Sequence, residues 1–155
     1  MKNCNKYNED YLQTFVIFFL RKVKKEYKES FPFMFWSIPN GGFRTKSTAL
    51  TMKNTGVLAG VLDLQLVGNG WIHFIEMKMG NGKLSDAQKE FIKGITSFNI
   101  SHDVVYADTP QEAVIKVKDI MIKLILNYSV KSVSSSKLHD IAGDVLSSSI
   151  LKEKS

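Results

Sequence analysis

The chain contains one cysteine, three prolines and only two arginines in 155 residues. A lone Cys4 excludes an internal disulfide and any zinc site built from several cysteines, and it fits a reducing cytoplasm. Long apolar runs are missing too. The longest, Phe15 to Leu20, covers six residues, whereas a membrane-spanning helix needs about 20. No secretory leader is expected, because Glu9 and Asp10 stand where its apolar region would begin. Acidic residues are the minority, 15 against 21 Lys and Arg, for a net charge of +6. Solubility alone explains such an excess. So does a polyanionic partner, since counterion release favours phosphate binding by a basic surface. With nearly all the positive charge on lysine, Arg21 and Arg44 are each more informative than any single Lys.

Aromatic residues are plentiful. Ten Phe, five Tyr and two Trp in a chain that is 44% hydrophobic exclude disorder throughout. The length suits one compact domain, or one domain plus a short tail. Composition divides the chain into a domain over 1–128 and a segment over 129–155, where Ser134-Ser135-Ser136 reads as a linker. Beyond it, Leu138 to Leu151 is expected to be a weak helix, with a disordered tail as the alternative.

Within the first segment, Leu12, Phe15, Val16, Phe19, Val23 and Tyr27 recur at helical spacing, predicting an amphipathic helix over 9–29 capped by Asn8. Phe33 to Ile38 reads as a strand, Ser47 to Lys53 as a short helix, and Leu62–Val67 and Trp71–Lys78 as two strands joined by Gly68-Asn69-Gly70. Ser85-x-x-Gln88 is a capping box opening a helix to Phe98. Asp103–Ala107 is a further strand. Thr109-Pro110-Gln111-Glu112 opens the next helix, with Val114, Val117, Ile120, Met121, Leu124 and Ile125 on one face. The order is α-β-(α)-β-β-α-β-α, an α/β mixed sheet flanked by helices.

The hairpin carries the chemistry. If Asn69-Gly70 are the central residues of a type I′ turn, Gly68 faces Trp71 and Asp63 falls opposite Glu76, with Cβ atoms about 5 Å apart on one face. Lys78 shares that face. Facing carboxylates amid Leu62, Leu64, Leu66, Ile75 and Met77 repel unless something offsets them, and a hard divalent cation such as Mg²⁺ is the economical answer. Lys78 beside it would hold a water or meet charge developing at phosphorus. An Asp at a strand start with an exposed Glu–Lys pair is the alternative.

Gly56-Val57-Leu58-Ala59-Gly60-Val61-Leu62-Asp63-Leu64, then Phe74-Ile75-Glu76-Met77-Lys78, then Gly82-Lys83-Leu84-Ser85-x-x-Gln88 together resemble the VRR-NUC domain, a branch of the PD-(D/E)XK nuclease superfamily. Pro39-Asn40-Gly41-Gly42 with Arg44 matches the loop before the motif, and the resemblance runs from Glu9 to Leu126. It implies a restriction-endonuclease-like core and a metal-dependent, structure-specific DNA endonuclease leaving a 5′-phosphate and a 3′-hydroxyl. Asp63 and Glu76 would bind Mg²⁺ or Mn²⁺ with the backbone carbonyl of Met77, and Lys78 would position the attacking water. Gln88 would line the same site. Glu9 matches an acidic residue that members contribute from the first helix, at a second metal site or through water. The chain departs from the pattern at Leu62, where the family usually has Pro. Stand-alone members of this size resemble Holliday-junction resolvases, which implies a homodimer acting on branched DNA in a bacterial or phage-infected cell. Flap- or duplex-specific cleavage, or nucleic-acid binding without catalysis, are the alternatives.

Other candidates carry two readings each. Arg44, Lys46 and Lys83 suit phosphate contacts, or are solvated loop charges. Gln88 would serve the capping box whatever else it does, and Glu9 suits a helix N-terminus. A phosphate-binding P-loop before Lys46-Ser47 is rejected, because Asn40 and Thr45 stand where its glycines must be.

Overall fold

A computed structural model describes residues 7–39, 46–129 and 136–150. Helix α1 (Glu9–Glu26) starts where expected: Asn8 Oδ1 accepts the Tyr11 N–H at 2.8 Å. It stops three residues earlier than its apolar spacing predicts, with Tyr27 as C-cap. Strand β1 (Phe33–Ser37) and helix α2 (Lys46–Asn54) follow. The Asn40–Arg44 loop and the Lys46 side chain lie outside the described residues, as does Cys4.

Strands β2 (Leu64–Gly68) and β3 (Trp71–Met79) form the hairpin, with Gly68 paired to Trp71 and Leu64 to Ile75. The register is the expected one, but the turn is not type I′. Only Gly70 has a positive φ, +78°, whereas Asn69 does not, the sign pattern of a type II turn. Both two-residue turns place the same residues opposite each other, so the register survives the change of type. Helix α3 (Asp86–Ser97) then crosses to strand β4 (Ser101–Ala107), which runs parallel to β3. The sheet order is β1-β2-β3-β4, antiparallel except for that last pair. Helices α4 (Pro110–Tyr128) and α5 (Ser136–Ile150) complete the chain.

The alternation of side chains along β3 separates two layers. Trp71, Ile75 and Met77 pack with α1, α4 and α5 in the main core, whereas Phe74 joins Leu62 and Ile95 of α3 on the other side. The six apolar residues predicted for one face of α4 are all buried. Its N-cap differs slightly from a capping box: Thr109 accepts from Glu112 N–H, but the Glu112 carboxylate accepts from Asp108 N–H at 2.9 Å, one residue earlier. Leu138, Ala142 and Val145 of α5 are buried in the same core as α1 and α4, so the segment after the serines is a docked helix. His73 lies on the α4 side, buried, with Nδ1 2.8 Å from Ser101 Oγ. Its Nε2 stands 3.2 Å from Asp103 Oδ2 without hydrogen-bond alignment, leaving an electrostatic contact. Among the described residues, no helix is long and apolar enough to cross a membrane.

Candidate active site

The expected strand begins at Leu62, but β2 starts at Leu64, and the reason lies in the site itself. At the Asp63–Glu76 position, side chains replace the backbone ladder. Asp63 N–H donates to Glu76 Oε2 at 3.3 Å, and Met77 N–H donates to Asp63 Oδ2 at 2.9 Å. Each carboxylate thus accepts from a backbone N–H on the facing side of the hairpin. The Asp63 carbonyl still accepts from Ile38 N–H at 2.8 Å, which ties this end of the hairpin to the segment after β1.

Lys78 completes the group. Its Nζ lies 2.5 Å from Glu76 Oε1 and 3.3 Å from the Met77 carbonyl oxygen. Glu76 is fully buried, and Lys78 is 7% exposed, so the ion pair is largely out of water. This is not the solvated Glu–Lys pair of the bland alternative. Gln88 Nε2 also donates to Glu76 Oε1. At the same time its Oε1 accepts from Ser85 N–H at 2.9 Å, and its backbone N–H donates to Ser85 Oγ at 3.2 Å. One side chain thus caps α3 and fixes the buried carboxylate. Gly60, with φ +80°, lets the preceding loop lie on that helix start, since a Cβ there would meet the Ala87 carbonyl carbon at 2.2 Å.

Glu9 arrives from the first turn of α1. Its Oε1 accepts from Met79 N–H at 3.2 Å and its Oε2 lies 3.7 Å from Lys78 Nζ. The structure thus brings together Asp63, Glu76, Lys78, Gln88, Glu9 and the Met77 carbonyl. Lys83 lies to one side, on a groove next to the cluster. Arg44 and the Lys46 side chain fall outside the described residues.

Charge at the site is unbalanced. Burial pushes the Asp63 carboxyl above its ordinary pKa against the Met77 hydrogen bond and Lys78, and Glu9 and Asp10 push it further. Burial likewise raises Glu76, opposed by the Lys78 hydrogen bond and reinforced by Asp63. For Lys78 burial works the other way, but Glu76, then Glu9 and Asp63, outweigh it and hold the ammonium charged. Asp10, which the sequence did not mark as a site candidate, adds the smallest of these effects at Asp63 from the first turn of α1. Its position beside Glu9 was the available signal.

Among the described residues, no group of three or more His, Cys, Asp and Glu side chains is arranged to hold a metal. The donor set is smaller: the Asp63 and Glu76 carboxylates with the Met77 carbonyl alongside. That set fits Mg²⁺, which takes one or two carboxylates and leaves its other positions to water and phosphate. Among the described residues, the Asp63 and Glu76 carboxylates outnumber the one ammonium, Lys78, that faces them, which points the same way.

Comparison with known proteins found no matching family model, no matching curated protein and no matching solved structure.

Proposed function

We propose that this chain is a metal-dependent DNA endonuclease with a PD-(D/E)XK core. The observation that carries the reading is the contact of Asp63, Glu76 and Lys78 at the buried end of the hairpin. A chain that only bound nucleic acid has no use for desolvated facing carboxylates, which oppose folding. The mixed sheet between helices, with the site just before β2 and on β3, agrees with such a core.

Asp63, Glu76 and the Met77 carbonyl would hold Mg²⁺ or Mn²⁺. The chemistry a divalent cation supplies when bound is Lewis-acid polarisation of the phosphoryl group. Lys78, kept cationic, donates to the attacking water and meets charge that develops on the phosphate. Its retained proton makes it a positioning donor. Gln88 holds the Glu76 carboxylate in place, and Glu9 restrains Lys78 from the other side. The water oxygen forms the new bond to phosphorus, the bond to O3′ breaks, and a proton reaches the leaving oxygen through solvent. The products are a 5′-phosphate and a 3′-hydroxyl.

The specific substrate in this reading is a four-way junction cut by a homodimer, because two sites related by a two-fold axis suit symmetric incision of two strands. The net charge of +6 supports a polyanionic partner. A labelled panel of four-way junction, flap, splayed arm, duplex and single strand, incubated with Mg²⁺, tests it. Paired symmetric cuts confined to the junction are expected. Cuts in flaps or duplex instead would retain the nuclease and discard the resolvase.

A further inference from the structure

A groove of about 540 Å³ adjoins the cluster, lined by Gly80, Gly82, Lys83, Lys89 and Tyr106 among others. Tyr106 stands on β4 directly beside Lys78 in the parallel ladder, so it shares the sheet face that carries Glu76 and Lys78. Tyr106 is 40% exposed, so it is open to a ligand. The strand beneath it is pinned, because Lys116 Nζ donates to the Tyr106 carbonyl at 2.6 Å. The Gly80–Gly82 turn lines the same groove, and Asn81 is its one residue with a side chain beyond a hydrogen. At Gly82 a Cβ would lie 3.3 Å from Lys78 Cδ and 3.5 Å from Glu9 Oε1, so glycine there keeps the wall between groove and cluster thin. Lys83 has no ion-pair partner among the described residues. Lys89 is paired to Asp86 at 2.8 Å. The groove thus offers one aromatic face, one free ammonium and no carboxylate among the residues that line it.

We propose that this groove is a subsite for one unpaired nucleotide next to the scissile phosphate, its base stacked on Tyr106 and a neighbouring phosphate on Lys83. The inference rests on the nuclease reading and deepens it. A base offers its π-face to a protein ring only when it is out of the duplex stack, so the subsite selects a strand unstacked at that position, as a strand at the opened centre of a four-way junction is. Lys83 contributes sequence-independent attraction, and Tyr106 contributes the preference for an unpaired base.

Fluorescence-anisotropy titrations test this, with a labelled 12-nucleotide single strand and a blunt duplex of equal length. Ca²⁺ replaces Mg²⁺, and wild type is compared with Tyr106→Ala, Tyr106→Phe and Lys83→Ala. Circular dichroism confirms that each variant folds. Tyr106→Ala should weaken single-strand binding about tenfold, within the range of one lost base–aromatic stack, and leave duplex binding within about twofold. Tyr106→Phe should bind as wild type. Lys83→Ala should weaken both ligands and lower the salt slope by about one. A 2-aminopurine placed in the single strand should be quenched by wild type and Tyr106→Phe, and not by Tyr106→Ala. If wild type cleaves DNA, equal losses on both ligands for Tyr106→Ala, or none, would overturn the subsite alone. A wild type that neither binds nor cleaves any DNA would overturn the nuclease reading and the subsite with it.

Discussion

Lys78→Met removes one member of a buried ion pair and leaves the other in place. The Glu76 side chain has no exposure and that of Lys78 has 9%, so the stranded carboxylate is not rescued by water. Breaking such a pair costs roughly 3–5 kcal/mol. Gln88 and the Asp63 N–H still donate to Glu76, which places the loss at the lower end, about 3 kcal/mol. For a domain of this size that lowers the melting temperature by roughly 6–12 °C. The loss depends on pH. A carboxyl with its pKa raised in the folded state stabilises fully below its unfolded value, and that contribution disappears as pH rises through the folded value. Lys78→Met raises Glu76 further, so the deficit should be largest near neutral pH and shrink towards about pH 5. Melting in EDTA at several pH values, monitored by circular dichroism, measures this directly. Adding Glu76→Gln to Lys78→Met should restore most of the stability, because a neutral amide keeps the shape without the charge. A Lys78→Met protein that melts with wild type at every pH would refute the argument. So would a double variant no more stable than the single one.

Gly60→Ala should cost about 2 kcal/mol or more in urea unfolding, since it adds a Cβ at φ +80° against the Ala87 backbone and forces a left-handed residue. An unchanged midpoint would mean the loop does not lie on α3. Ser85→Ala and Gln88→Ala should each destabilise by about 1 kcal/mol through the lost cap, yet only Gln88→Ala should also slow cleavage, because it alone touches Glu76. Equal cleavage rates for the two variants would confine Gln88 to capping. Asp63 and Glu76 are both raised by burial, so the metal-free protein should lose stability as pH rises from the ordinary carboxylate range towards neutrality. Asp63→Asn should flatten that slope, and a slope unchanged by the substitution would remove Asp63 from the cause.

The hairpin was legible because its register depends on turn length and on the alternation of apolar residues, both written locally. That reasoning reached Asp63 opposite Glu76 without knowing that the turn takes a different type. It misplaced the start of β2, because no propensity encodes two side chains substituting for a backbone ladder. Gln88 could be reached from the capping box alone, and its second bond to Glu76 could not. Glu9 is 70 residues from its Met79 partner, a separation that spacing arguments do not span, so it entered through family resemblance. Helix α5 was underestimated because its serines mask the spacing of Leu138, Ala142 and Val145, whose burial depends on the α1 and α4 surfaces that receive them. Tyr106 gave no sequence signal, since an aromatic on a strand reads as core until the sheet shows which face is open.

The central claim is that the Asp63–Glu76–Lys78 cluster hydrolyses phosphodiesters. Its most direct test is the single-turnover cleavage rate of a labelled four-way junction with Mg²⁺, for wild type and for Glu76→Gln. Gln keeps the volume of the buried side chain, removes its charge and turns one of its two acceptor oxygens into a donor. The account predicts Mg²⁺-dependent cleavage by wild type and a loss of at least about a hundredfold in the folded variant, the scale seen when one electrostatic contributor to a transition state is removed. Cleavage by Glu76→Gln at the wild-type rate would place the active site elsewhere. A wild type that cuts no branched, duplex or single-stranded DNA with Mg²⁺ or Mn²⁺ would contradict the account outright.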